Sequence, residues 1–326
     1  MLLNIIFSYN RAMQVDYLLN TILKRIKIKD YETVILYHTT GNHQLGYKKL
    51  IEKYKNYPNI SFVERKEVWF DSSFFKTFTS KKNYKFFLEK NLKNKKSDNF
   101  KGLLQKLLRD SKHELIMFNT DDGVFYEDVI LNDEILSVFK NNPETASYRM
   151  YVGDNIEGFP DYIHKKNGYY EWDYYTDKNI THWSYPFSVD GTIYNTKHLL
   201  SVLEKIPYHN PITLEENVFR FAQEHKLFRK GLGPITTKLV GTTLNRVSID
   251  TFNPTINISV DYLNEKFIEG YTLQLGLPDH IDVVNIVPFE VSIIKENQKE
   301  VIYSLDEQGK KIQNSYGVEG TKKESE

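Results

Sequence analysis

From Leu2 to Phe7 the chain is apolar but for Asn4, and the run breaks at Ser8-Tyr9-Asn10-Arg11. Such a run predicts a buried first strand that opens into a loop. Val15, Leu18, Leu19, Ile22, Leu23 and Ile26 then recur at helical intervals and predict a helix over Met13–Ile26. Thr33–His38 is β-branched and aromatic and predicts a strand. Tyr47–Tyr57 predicts a second helix, stopped by Pro58, and Ile60–Val63 a short strand. Leu103–Leu108 lies in a third predicted helix, and Glu114–Asn119 is a fourth strand. This alternation implies parallel strands joined by crossover helices, the doubly wound α/β class. Ligands of that class lie beyond the carboxyl ends of the strands.

Further along, Tyr148–Tyr194 is dense in Tyr, Trp, Asp and Gly with weak periodicity, which predicts long loops over a site. Helical spacing returns at His198–Lys205, Leu214–Glu224 and Val260–Glu269. Val283–Ile294 and Val301–Leu305 predict a hairpin. The expected organisation is a main unit over 1–250 with halves 1–125 and 126–250. A helix-and-hairpin extension follows over 251–315, with a disordered tail over 316–326.

Composition narrows the function. The chain has 326 residues, and 43 Lys and Arg balance 43 Asp and Glu. That balance argues against a nucleic-acid binder, whose footprint is a basic excess. Cysteine is absent, which removes zinc-thiolate sites and cysteine nucleophiles. The opening residues lack the charged head and cleavage site of a signal peptide, so the expectation is a soluble cytoplasmic protein. One asymmetry stands out: Lys76–Lys112 carries twelve Lys or Arg against three acidic residues. It reads as a solvated helical face or a mobile insertion, or as a patch for an anionic ligand or an anionic membrane at the inner face of the cell.

The chemistry concentrates at two predicted strand ends. Glu114-Leu-Ile-Met-Phe runs directly into Asn119-Thr120-Asp121-Asp122-Gly123. Adjacent carboxylates at the end of a buried strand repel each other and resist desolvation. A hard divalent cation, Mn²⁺ or Mg²⁺, relieves both costs, with Asp121 and Asp122 as its ligands. A plain turn accounts for the same Asp-Asp-Gly sequence. In the first loop, Ser8, Tyr9, Asn10 and Arg11 stand where a nucleotide lies in such a sheet. A helix cap by Ser8 or Asn10 is the alternative.

The first loop followed by an amphipathic helix, together with Phe-Asn-Thr-Asp-Asp after the fourth strand, resembles the GT-A-fold nucleotide-sugar glycosyltransferases, in particular the bacterial family-2-like group. The resemblance covers roughly residues 1–130 and weakens toward 250. It implies a GT-A (Rossmann-like), mostly parallel central sheet flanked by helices. It also implies that the first loop holds the base and that Asn119, Thr120 and Asp121 serve the ribose and diphosphate. The family pattern has an acid where Asn119 stands, which moves the metal role onto Asp122 with Asp121 as partner.

Three more stretches gain roles from that resemblance. In His182-Trp183-Ser-Tyr-Pro-Phe-Ser-Val-Asp190-Gly191, Asp190 and Gly191 would sit near the donor sugar, and His182, Trp183 and Gly191 would meet the acceptor. A tight turn with a packed Trp is the alternative. In Asn210-Pro-Ile-Thr213-Leu-Glu215-Glu216, either carboxylate would serve as acceptor base. Thr213 as N-cap with Glu216 as its capping-box partner leaves Glu215 the favoured base. After Val240-Gly-Thr-Thr-Leu-Asn, Arg246 would neutralise phosphate charge.

The resulting expectation is a metal-assisted, inverting glycosyltransferase of the hexosyltransferase type. Its donor would be a nucleotide-sugar, UDP-sugar favoured, and its acceptor a glycan or lipid-linked sugar of a bacterial surface polysaccharide. A non-catalytic carbohydrate-binding or scaffold protein is the alternative, kept open by Asn119. A nucleotidyltransferase would need a Gly-rich basic loop after the first strand, and Ser-Tyr-Asn-Arg is not one. P-loop, dinucleotide-binding and Gly-x-Ser-x-Gly motifs are all absent.

Overall fold

The computed structural model describes residues 1–68, 97–246 and 255–305. The chain begins β1 (Leu2–Tyr9), α1 (Ala12–Arg25), β2 (Tyr31–His38), α2 (His43–Tyr54), β3 (Ile60–Glu64) and β4 (Glu67–Val68). It continues with β5 (Ser97–Asp98), α3 (Phe100–Asp110), β6 (Leu115–Thr120), β7 (Gly123–Phe125), α4 (Asp133–Asn141) and β8 (Ala146–Arg149). Next come β9 (His164–Lys165), β10 (Tyr169–Asp173), β11 (Thr192–Asn195), α5 (Thr196–Leu203), α6 (Pro211–His225), β12 (Lys230–Pro234) and β13 (Leu239–Thr242). The last described elements are α7 (Val260–Glu269), β14 (Thr272–Gly276), β15 (Asn285–Ile286), β16 (Glu290–Lys295) and β17 (Gln298–Ser304).

The fold is mixed α/β. Nine strands form one central sheet in the order β3-β2-β1-β6-β11-β8-β12-β10-β9. β3, β2, β1 and β6 are parallel neighbours. Beyond them β11 and β10 run opposite to the rest, so seven of the nine strands point one way.

β1 is an interior strand, third in that order, and is buried along nearly its whole length. Its pleat sends Leu3, Ile5 and Phe7 to one face and Leu2 and Ile6 to the other. The first face packs beneath α3, α5 and α6, the second beneath α1, α2, α4 and α7. On that second face Asn4 donates to Thr33 at 3.3 Å and Asn119 donates to Asn4 at 2.6 Å. A polar ladder thus crosses three strands inside the core and explains the one polar residue in the opening run.

The middle departs from its prediction as loops. Residues 148–194 supply half of β8, all of β9 and β10 and three of the four residues of β11, and β8 and β11 lie inside the central sheet. These strands are only two to five residues long, too short to show a period. The Cβ of any residue replacing Gly231 would sit 2.3 Å from the Trp172 ring, so β12 passes β10 only because it carries glycine there.

The C-terminal elements join the main unit. β15 pairs with β13, which pairs with β7, linking residues 285–286, 239–242 and 123–125. Leu263 and Phe267 of α7 and Leu273 and Leu275 of β14 belong to the α1–α2 hydrophobic cluster. The expected hairpin exists as β16 and β17, around a turn with Glu296 at φ 53°. The predicted tail lies outside the described residues, as does most of the basic run. In its described part Lys101 is fully buried and donates to the Ile206 carbonyl at 2.8 Å, and Arg109 pairs with Glu204 at 2.9 Å. Lys106 and Lys112 are exposed. Among the described residues no helix is long and apolar enough to cross a membrane.

Candidate active-site cleft

The carboxyl ends of β1 and β6 open into a cleft of about 1040 Å³. Its lining includes Ser8, Tyr9, Arg11, Asn119, Thr120, Asp121, Asp122, His182, Trp183, Asp190, Glu215 and Arg246. Register explains the meeting. Ile6 pairs with Asn119 and Phe7 with Thr120, so the first polar residues after each strand arrive side by side.

Asp121 is the hub. Ser8 Oγ donates to Oδ2 at 2.7 Å, the Tyr9 amide donates to the same oxygen at 3.2 Å, and Arg11 Nη1 donates to Oδ1 at 2.7 Å. Both of its oxygens are engaged. Burial pushes its carboxyl up from the ordinary range, while Arg11 and Ser8 pull it back. Arg11 is itself buried; it reaches Asp122 at 3.4 Å and donates to the Asn245 carbonyl at 2.6 Å. Gln14 donates to the Asn245 side chain at 3.0 Å. The segment carrying Arg246 is thereby fastened to the first loop. Asp122 differs from Asp121: its side chain is 33% exposed and opens to the cleft. Its carbonyl is held by the Thr242 amide and hydroxyl, each at 2.8 Å.

Asp190 and Glu215 line the same cleft. Thr120 Oγ1 donates to Asp190 at 2.7 Å. Burial and the nearby Asp122 push Asp190 up to about 6. Glu215 accepts the Val189 amide at 3.4 Å. Burial first, then Asp190, pushes its carboxyl up to about 8. A carboxyl so placed changes charge near neutrality, where proton transfer is efficient.

The start of α6 differs from its prediction. Asn210, not Thr213, is the N-cap: it accepts the Thr213 amide at 2.8 Å, and Thr213 answers as the third helical residue. Pro211 fits the first helical position, where a missing N–H costs nothing, and so the helix begins three residues earlier. Glu216 therefore has no capping role. It faces outward and pairs with Arg220 at 2.5 Å, while Glu215 turns into the cleft.

Asn10 and Gly191 stand outside the cleft lining, and other nominated residues make different contacts. Asn10, at φ 58°, points to Thr40, donating at 2.8 Å and accepting its amide at 2.9 Å. Asn119 is wholly buried in the polar ladder. Trp183 is 2% exposed, packed on Trp172 at 5.0 Å and Phe159 at 5.2 Å, so it backs the cleft. Gly191 lies behind the wall at φ 52°, where a Cβ would meet Leu239 at 2.2 Å. His182 is open to the cleft at its rim. Crowding by the wall, then the Arg149 charge, holds its imidazole down to about 4.

The cleft also holds residues that sequence reading passed over. Tyr9 stacks on His38 at 5.6 Å, and buried Arg65 lies at that end, paired with Asp98 at 3.2 Å. Arg65 directly follows the third parallel strand, so the strand-end rule that found Ser8 and Asp121 pointed to it as well. Tyr151 and Tyr185 line the other end. Nothing in the sequence marked them, because their stretch showed no period. Among the described residues no group of three or more His, Asp or Glu could hold a metal ion.

No protein-family model matches the chain, and no curated protein matches it. Among solved structures it is similar to S. aureus TarS, with a TM-score of 0.42 and 13% identity over 82% of this chain and 39% of that one. A TarS 1–349 structure in complex with UDP-GlcNAc gives 0.40 and 15%, over 75% of this chain and 59% of that one. The mannosyltransferase PcManGT from Pyrobaculum calidifontis, in complex with GDP-Man and Mn²⁺, gives 0.28 and 15%, over 47% and 36%. The chain thus spans about two fifths of the first TarS structure and three fifths of the shorter one. At these scores the functional reading rests on the cleft itself.

Proposed function

We propose that the protein is a glycosyltransferase that moves a sugar from a nucleotide-sugar, a UDP-sugar favoured, to a hydroxyl acceptor. One observation carries this reading. The Ser8–Arg11 loop and the Asp121–Asp122 pair meet at the carboxyl ends of parallel strands, in a single cleft with Asp190 and Glu215.

The donor's nucleotide lies along Ser8, Tyr9 and Arg65, and its diphosphate lies toward Asp122 and Arg246. The donor set fits a divalent cation: Asp122 offers one hard, cleft-facing oxygen ligand, and Mg²⁺-like ions need only one or two carboxylates beside substrate phosphates. Asp121 would support from behind, since its oxygens are taken. When bound, the cation would neutralise charge on the departing diphosphate. The chain's own groups do the rest. Arg11 holds both aspartates in place. Asp190, braced by Thr120, faces the sugar. Glu215 takes the proton of the acceptor hydroxyl at its oxygen as that hydroxyl attacks, which is inverting chemistry. Trp183 and Tyr185 wall the acceptor side, and glycans or lipid-linked sugars of a bacterial surface polymer are the proposed acceptors. Peripheral contact with an anionic inner membrane through residues 76–112 belongs to the same proposal.

A binding-only protein on this fold is the second reading, favoured by the capture of Asp121 by Arg11. A thermal-shift panel of UDP-, GDP- and dTDP-sugars, with and without Mn²⁺, tests the donor site, because a ligand of the folded state raises its melting temperature. Free nucleoside diphosphate released on adding an acceptor separates transfer from binding alone. A panel with no shift would end the nucleotide-sugar reading.

A further inference from the structure

Arg149 ends β8 with none of its surface exposed. Its described partners are two carbonyls and three tyrosine rings, with no carboxylate among them. Nη1 donates to the His182 carbonyl and Nη2 to the Tyr185 carbonyl, while Nε has no partner. The rings of Tyr151, Tyr174 and Tyr185 stand 4.8, 5.3 and 5.9 Å from its Cζ. Cation–π contacts offset part of the desolvation of a guanidinium. An unpaired buried charge remains costly, and Met would fill similar space without it.

Two features give the charge a use. Both carbonyls belong to one short segment whose His182, Trp183 and Tyr185 line the cleft. Asp190 and Glu215 line the same cleft, and the Arg149 field, a minor influence beside burial, favours the ionised form of each. Their own contacts are Thr120, Ser188 and Val189, none of them a cation.

We propose that Arg149 is a positioning residue: its buried charge complements the Glu215–Asp190 pair through the wall, and its two carbonyl bonds fix the backbone bearing His182 and Tyr185. The groups facing Glu215 are few. Asp190 precedes β11, Tyr185 lies in the wall, and Tyr151 follows β8. Burial pushes both tyrosines far up, so they stay neutral at working pH. On its own helix Glu216 and Arg220 satisfy each other outside the cleft. Arg149 then offsets part of the burial and of the Asp190 repulsion that hold Glu215 protonated.

The test is a carboxyl ¹³C NMR titration of the full chain, with the Glu215 signal assigned by its loss in Glu215→Gln. In Arg149→Met the Glu215 midpoint rises by about one pH unit or more, a tenfold change in ionised fraction at fixed pH. In Arg149→Lys it stays near wild type. UDP affinity is the same in all three, because Arg149 lies away from the nucleotide end. An unmoved Glu215 in folded Arg149→Met overturns the proposal. Should that variant not fold, Arg149→Lys decides: it keeps the charge but loses the fork, so the amides of 183–185 exchange faster with solvent, and unchanged exchange overturns the proposal. The role in transfer rests on the glycosyltransferase reading. A wild type that releases no nucleoside diphosphate from any UDP-, GDP- or dTDP-sugar of the panel at any pH would sink that reading and leave the titration standing.

Discussion

Arg11 and Asp121 meet at 2.7 Å where β1 and β6 end, with side chains only 8% and 6% exposed. The same guanidinium lies 3.4 Å from Asp122. One cation thus holds two carboxylates of unequal standing, one sealed and one open to the cleft. Removing one partner of a sealed pair leaves an uncompensated buried charge. Arg11→Met should therefore cost about 3–5 kcal/mol of stability by urea unfolding. Adding Asp121→Asn to it should recover part of the loss in a double-mutant cycle. A cost near that of a surface pair, below about 1 kcal/mol, would show that the contact does not organise the site.

Asp122 is separable from that framework, because its side chain is partly exposed and its backbone is held by Thr242. Asp122→Ala should leave the melting temperature nearly unchanged. Transfer should fall by about a hundredfold or more, as when electrostatic support for a leaving group is removed. Any Mn²⁺-dependent thermal shift should vanish with it. Retained activity together with a retained metal shift would place the cation elsewhere.

Glu215 gives a pH signature. Its carboxyl is raised from 4.5 to about 8 in the fold. Between those values the folded state keeps a proton that the unfolded chain has released, so stability falls as pH rises through that window and levels above it. Glu215→Gln cannot release a proton and should lose this decline. Melting curves of both forms from pH 5 to 9 check it, and parallel curves would show that the carboxyl is ordinary. If Glu215 is the acceptor base, wild-type turnover should climb over the same range as its ionised form accumulates.

Gly191 should prove structural. Its φ of 52° and the Leu239 methyl 2.2 Å from any Cβ both oppose a side chain. Gly191→Ala should cost about 1–3 kcal/mol through strain and overpacking. Paired melting and UDP-binding measurements separate this from a ligand role, which would weaken binding with stability unchanged.

What the sequence made legible follows period and length. β1, β2, β6 and the helices between them are long enough to show it, and their strand ends led directly to Ser8, Arg11, Asp121 and Asp122. β8 and β11 are four residues each, too short for a pattern, which hid Arg149 and the aromatic wall. The capping of α6 was misread because Thr213 and Glu216 also satisfy a capping box; Pro211 was the signal that the helix starts earlier. Asn119 resembled a weakened ligand in sequence, yet its partner is Asn4, 115 residues away and visible only once β1 and β6 pair. Asn10 shows the same limit, since its partner Thr40 comes from the end of another strand.

The reading stands or falls on whether Asp122 and the first loop receive a nucleoside diphosphate. Isothermal titration of UDP into the wild-type chain with Mn²⁺, repeated with Asp122→Asn, measures this directly. Saturable one-to-one binding that needs the metal and disappears in the variant is the expected result. Absence of binding to the wild type at millimolar UDP and GDP, or equal binding by both proteins, would contradict it.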